Sequence, residues 1–114
     1  MTNQAILVGR LTTNPELKEE GEKKLTTLTL AIPRSFKNAD GEYETDFITC
    51  VLWNVIAENT VEYCKKGDIV GVRGRLQSAE DGKIQVIAEK VTFYQAKAKK
   101  KKNKNEGKKT KVLR

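Results

Sequence analysis

The chain has 114 residues, of which 38% are hydrophobic and 32% are charged, and this length allows one small domain. No apolar run reaches the roughly 18 residues of a membrane span, and Met1 to Arg10 has no secretion-signal pattern, so we expect an intracellular protein with no membrane partner. Histidine is absent and the two cysteines form no CxxC pair, which excludes Cys/His zinc sites and Ser-His or Cys-His catalysis. We therefore predict no enzymatic activity, no cofactor and no metal site.

The net charge of +7 is concentrated at the C-terminal end of the sequence. Residues 96–114 contain ten basic residues and one acid, a net +9, which leaves −2 for residues 1–95. The end segment has no apolar periodicity, so we predict a folded domain over residues 1–95 and a disordered lysine-rich tail over residues 96–114. Because the basic pI comes from the tail, binding by the domain has to be argued from the placement of individual residues.

Residues 1–95 show a period-two pattern divided by turn residues, which predicts the order β-β-β-α-β-β. Pro33 is expected to end the second strand or to mark a sheet edge. Gly67 is expected to end the helix as its C′ residue, with Lys65 and Lys66 close to the negative end of the helix dipole. Turns are predicted at Asn38–Gly41 and Asp81–Gly82. The predicted strands cover about residues 4–11, 24–32, 45–53, 68–77 and 83–94, and the predicted helix covers residues 57–66.

This order of elements is that of the OB-fold, a five-stranded barrel with a helix between the third and fourth strands. An open antiparallel sheet with one helix has the same order. We favour the barrel because closure removes exposed sheet edges from a small domain. Gly9, Gly71 and Gly74 lie in strand interiors, where a small barrel needs bends. The predicted fold class is therefore all-β, a five-stranded OB-fold barrel with one short helix.

The third predicted strand has two nearly apolar faces, and only one of them can face the core. Ile48, Cys50 and Leu52 form the better core face, which leaves Phe47 and Trp53 on the opposite side. These two rings are six residues apart, about 20 Å along an extended strand at ~3.3 Å per residue. Burial of the rings in the core is the alternative interpretation.

Several segments, in chain order, resemble the bacterial single-stranded DNA-binding proteins. The resemblance covers essentially all of residues 1–94. The matching segments are ILVGRLTTNPEL at 6–17, TLTLAIPRSF at 27–36, GEYETDFITCVLWNVIAENTVEYCKKGD at 41–68, VGVRGRLQ at 70–77 and IAEKVTF at 87–93.

The resemblance implies a homotetramer that pairs its first strands and binds single-stranded DNA without strong sequence preference. A homodimer is the alternative assembly. It also implies a role in DNA replication, recombination or repair in the bacterial cytoplasm or nucleoid. The family's stacking aromatics match Phe36, Phe47 and Trp53. The segment from Gln77 to Lys83 has no ring where many members carry another, so we expect a smaller footprint on DNA.

Cations near these rings are candidates for phosphate contacts, although each could equally be a solvated surface residue. The candidates in the domain are Arg10, Arg34, Lys37, Arg73 and Arg75, and those in the tail are Lys99, Lys100, Lys101 and Lys102. Four acids in one loop would repel phosphate unless they point away from the DNA path. These acids are Asp40, Glu42, Glu44 and Asp46.

The resemblance also implies a short acidic C-terminal tip that recruits replication proteins. The sequence instead ends in KKKKNKNEGKKTKVLR, which puts recruitment by that route in doubt. Two rival functions stay open: an RNA-binding or ribosome-associated OB-fold protein, and a structural or assembly factor whose rings lie at protein contacts.

Overall fold

The computed structural model describes residues 1–94. The predicted tail and the predicted domain boundary after residue 95 lie outside the described residues. The elements in chain order are β1 (Ala5–Leu11), β2 (Lys18–Glu20), β3 (Lys23–Lys37), β4 (Tyr43–Trp53), α1 (Asn54–Tyr63), β5 (Ile69–Ser78) and β6 (Ile84–Phe93).

Five of these strands close into a barrel, which confirms the predicted OB-fold. β1 pairs with β5, β5 with β6, and β3 with β4, all antiparallel. A short parallel contact between β4 and β6 and an antiparallel contact between β1 and β3 complete the ring. Among the described residues, β2 pairs only with β3, and it lies outside the ring. The open-sheet alternative is therefore wrong.

The barrel interior is filled by the predicted core face of β4 and its neighbours. Cys50 and Leu52 are fully buried together with Leu30 of β3, and Ala57 of α1 packs into the same cluster. Burial raises the pKa of the Cys50 thiol to about 12. Desolvation likewise raises the pKa of the Cys64 thiol to about 12. Alternate residues of β4 therefore point inward, as its sequence pattern predicts.

Two strand glycines allow the close backbone approaches that closure requires. A Cβ on Gly74 would overlap the carbonyl oxygen of Ile87, at the point where the β5–β6 register shifts. A Cβ on Gly9 would lie 2.8 Å from Cγ1 of Ile32, next to the β1–β3 contact. Both positions fit the predicted role of glycine at bends.

The helix begins and ends three residues earlier than predicted, at Asn54 and Tyr63. Asn54 has φ +56°, a conformation that Asn tolerates better than most residues, and the chain turns there directly from β4 into α1. At the other end, Cys64 is extended and donates its N–H to the Thr60 carbonyl at 3.0 Å. The helix is thus displaced toward β4.

The predicted helix-capping roles of Gly67, Lys65 and Lys66 are wrong. Gly67 has φ +95°, but it lies in a turn after the helix, where its N–H donates to the Leu11 carbonyl at 2.9 Å. The Lys66 N–H donates to Oδ1 of Asn14 at 2.7 Å, and the last turn of α1 contains no basic residue. Contacts with β1 and with the loop after it therefore shape this segment.

The second predicted strand is longer than expected and has a short partner before it. β3 continues through Pro33 to Lys37, and Pro33 lies opposite Thr45 of β4 just before the β3–β4 register shifts. β2 occupies a segment that the sequence predicts to be a loop. The prediction missed this strand because its three exposed residues show no apolar alternation. The Asn38–Gly41 turn is present, and Oδ1 of Asn38 accepts the N–H groups of Asp40 and Glu42 at 2.9 and 3.0 Å.

Candidate nucleic-acid interface

The outward side of β3 and β4 carries two of the predicted stacking rings. Phe47 is 64% exposed and lies opposite Ala31. Trp53 is partly exposed and lies opposite Leu25. Between them, this side consists mainly of small side chains on neighbouring strands. We call this surface the ring face, defined as residues 25, 27, 29 and 31 of β3 and residues 47, 49, 51 and 53 of β4.

Trp53 is held where β4 turns into α1. It is the last residue of the strand, and Asn54 follows it in the left-handed conformation. Oδ1 of Asn54 accepts the Lys24 N–H at 3.2 Å, which ties this turn to β3. Nζ of Lys23 lies 5.9 Å from the centroid of the Trp53 ring, within the range of a cation–π contact. Sequence analysis missed Lys23, because only the β3–β4 register brings it to Trp53.

The third predicted ring, Phe36, lies near the tip of the β3–β4 hairpin. It is 65% exposed and belongs to a stretch where β3 departs from regular pairing with β4. Next to it, Nζ of Lys37 lies 5.8 Å from the centroid of the exposed Tyr43 ring. The hairpin tip therefore presents two rings and one cation to solvent.

Arg10 and Arg75 approach the ring face from its two sides. Arg10 lies opposite Ala31, which itself lies opposite Phe47, so Arg10 is two strand spacings, about 10 Å, from Phe47. One of its terminal nitrogens donates to the Gly67 carbonyl at 2.8 Å. Arg75 pairs with Ile87 of β6, whose parallel partner on β4 is Val51 of the ring face.

Arg73 is not brought to the ring face. It lies opposite Ile6 of β1 and Lys90 of β6, on the outward side of the other half of the barrel. Ile6 and Val8 are exposed apolar residues on that side. Arg73 therefore borders an apolar patch on β1, and its paired neighbours do not belong to the ring face.

Arg34 is engaged by two of the acids that were expected to oppose DNA binding. Its Nη2 lies 2.9 Å from Oδ1 of Asp46, and its Nη1 lies 2.9 Å from Oε1 of Glu44. Hydrogen bonding to Arg34 lowers the pKa of Asp46, and the same bonds raise the pKa of Arg34. Asp40 and Glu42 form no ion pair within residues 1–94. Two of the four acids expected in a loop thus lie on β4 and are paired with Arg34.

Other kinds of site find little support in the described part of the chain. No helix in residues 1–94 is long and apolar enough to cross a membrane. The same residues contain no group of three or more His, Cys, Asp or Glu side chains that could hold a metal ion. The predicted tail contacts at residues 99–102 lie outside the described residues.

Comparison with known proteins agrees with this geometry. A sequence model described as the single-strand binding protein family matches residues 2–112. Single-stranded DNA-binding protein B of Bacillus subtilis (strain 168) is 45% identical over 106 aligned positions, which cover 85% of this chain and 94% of that protein.

Two longer relatives match the same region. Single-stranded DNA-binding protein 3 of Listeria innocua is 44% identical, and a single-stranded DNA-binding protein of Bacillus cereus is 47% identical. The matches cover 85% and 82% of this chain, but only 66% and 60% of those relatives. The resemblance seen in the sequence is confirmed, and the chain belongs to the single-strand binding protein family.

Proposed function

We propose that this protein binds single-stranded DNA without strong sequence preference, and that it coats and protects such strands during replication, recombination or repair. One observation carries this proposal. Phe47 and Trp53 point outward from β4 while Cys50 and Leu52 fill the core, so the two rings are free to meet ligands. A neutral ring offers every base a flat partner, which gives affinity without sequence readout.

The ring face suits an extended strand better than a duplex. The side chains between its two rings include Thr27, Thr29 and Thr49, which leave room for bases to approach the sheet. Bases in a duplex are already stacked on one another and cannot lie flat on a side-chain ring. Arg10 and Arg75 lie at the sides of this face, where phosphates of a bound strand could pass. The function is binding and requires no catalytic group.

The first experiment is a titration with oligo-dT that follows the fluorescence of Trp53, the single tryptophan, at several salt concentrations. Quenching by oligo-dT with little response to a duplex of equal length is the expected result. Tighter binding to a structured RNA would favour the RNA-binding alternative. If saturating single-stranded DNA leaves the fluorescence unchanged, the result would favour an assembly factor whose rings lie at protein contacts.

The lysine-rich tail is proposed to add salt-dependent attraction to phosphates through Lys99, Lys100, Lys101 and Lys102. The domain has a net charge of −2 and the tail +9, so nonspecific attraction must come mainly from the tail. Removal of residues 96–114 is expected to lower affinity and to flatten the dependence of affinity on salt. An unchanged salt dependence would contradict this role.

We further propose self-association through β1. β1 pairs with β5 over Ala5 to Arg10, whereas its contact with β3 involves only Arg10 and Leu11. Its N-terminal half therefore has an edge without a partner in residues 1–94, beside the exposed side chains of Ile6 and Val8. Such an edge can pair with the same strand of a second copy.

The oligomeric state is measured by sedimentation at micromolar concentration. Wild-type protein is expected to form a tetramer or dimer, and Val8→Glu is expected to shift it toward monomer because the new charge would be buried at the interface. Val55→Glu, at an exposed apolar position on α1, is the matched control. A monomeric wild type, or equal masses for the two variants, would rule out association through this strand.

A further inference from the structure

The stretch that carries Phe36 lacks regular sheet pairing. Pro33 lies opposite Thr45 and Lys37 lies opposite Tyr43, so three residues of β3 face the single residue Glu44 of β4. A bulged stretch of this kind has a disrupted ladder of backbone hydrogen bonds. The position of the Phe36 ring must therefore depend on contacts other than the ladder.

A side-chain network crosses this bulge. Nε of Arg34 donates to both carboxylate oxygens of Asp46 at 3.2 Å, and Nη2 donates to Oδ1 of the same residue at 2.9 Å. Nη1 of Arg34 donates to Oε1 of Glu44 at 2.9 Å. Oε2 of Glu44 accepts Nδ2 of Asn38 at 3.1 Å, which links the network to the turn. We call Arg34, Asn38, Glu44 and Asp46 the hairpin clamp.

The clamp has the geometry of a fixed contact. An isolated surface ion pair contributes little, but a planar guanidinium that meets a carboxylate through two nitrogens constrains both groups. Arg34, which is itself a bulged residue of β3, also binds two different residues of the opposite strand β4. A phosphate would have to displace these carboxylates before it could bind the same nitrogens.

We propose that Arg34 is a positioning residue, which holds the bulged stretch so that Phe36 meets a base, and that it is not a phosphate ligand. This inference rests on the proposed function and replaces the phosphate contact predicted for Arg34 from the sequence. Asp46 and Glu44 then support DNA binding even though their charge repels phosphate, because they fix the segment that bears the ring.

Two variants that each remove one negative charge from the same hairpin test this proposal. Asp46→Asn weakens the contact with Arg34, whereas Glu42→Gln leaves the clamp intact, because the Glu42 side chain has no ion pair in residues 1–94. If Arg34 were a phosphate ligand, Asp46→Asn would free it and would bind oligo-dT more tightly than Glu42→Gln. We expect the opposite: the affinity of Asp46→Asn for oligo-dT should be at least about fivefold lower than that of Glu42→Gln. A loss of about fivefold is the lower limit expected when one base loses its stacking partner.

The same comparison in a Phe36→Ala background separates ring placement from other effects. Without the ring, the two variants should bind oligo-dT equally. A difference that persists in this background overturns the proposal, as does an Asp46→Asn protein that binds at least as tightly as Glu42→Gln. Circular dichroism checks that each variant is folded.

Amide hydrogen exchange of the free protein gives a readout that needs no DNA. Residues 34–38 should exchange faster in Asp46→Asn than in Glu42→Gln, because the clamp no longer restrains the bulge. Equal exchange in the two variants overturns the proposal. Failure of the wild-type protein to bind oligo-dT would refute the proposed function, and the exchange comparison would still decide whether the clamp holds this stretch.

Discussion

Replacing Phe47 by alanine is the most direct test of the ring face. The side chain is 64% exposed and stands on the outward side of β4, so its removal leaves no cavity in the core. Ala31, its neighbour on β3, is too small to take over the stacking role. The variant should therefore fold normally, with a urea midpoint close to that of the wild type.

The expected loss of affinity for DNA follows from the free energy of one base stacked on a ring. A base stacked on a ring contributes about 1 to 3 kcal/mol, which corresponds to a dissociation constant about 5 to 150 times higher for oligo-dT. Tyr63→Ala is the matched control, because Tyr63 is also an exposed ring, at 54%, but lies on α1 and packs near Phe93. Equal affinities for Phe47→Ala and the wild type, measured by fluorescence titration, would refute the assignment of Phe47 to DNA binding.

Three further predictions concern stability and thiol reactivity. Gly74→Ala should destabilise the protein by about 3 kcal/mol or more in urea unfolding, because the added Cβ overlaps backbone of β6. Cys50 and Cys64, whose raised pKa values keep the thiols protonated, should react with a disulfide reagent at pH 8 only after unfolding. The folded-state pKa of Asp46 is below its ordinary value of 3.8, so its contribution to stability should be complete at neutral pH and lost as pH falls from about that value. Asp46→Asn should remove this acid-dependent part of the unfolding curve.

The alternation along β4 could be predicted because it depends only on the period of a strand. The face with Cys50 and Leu52 is the more apolar of the two, which favours it as the core and predicts that Phe47 points outward. The turn at Asn38–Gly41 was equally predictable, since Gly41 has φ +78° and Asn38 makes the local side-chain bonds typical of its type. These features are set within a few residues of sequence.

Other features were not predictable because they depend on distant partners. Gly67 has the left-handed conformation expected of a helix terminator, but its N–H bonds to Leu11 of β1, and the helix has already ended at Tyr63. The ion pairs of Arg34 with Glu44 and Asp46 could not be predicted, because they form only when β3 and β4 pair. Local pattern alone cannot distinguish a cation aimed at solvent from one aimed at a neighbouring strand.

The two parts of the chain should contribute to affinity in ways that salt can separate. Phe47 and Trp53 are uncharged, and stacking on them releases no counterions, so loss of a ring should lower affinity by the same factor at every salt concentration. Each phosphate neutralised by the tail changes the slope of log affinity against log salt by about 0.7 for a single strand. Arg34 is already neutralised by Asp46 and Glu44, so it should add nothing to that slope. Ring variants should therefore lower the affinity without changing the slope of log affinity against log salt. Loss of residues 96–114 should change that slope.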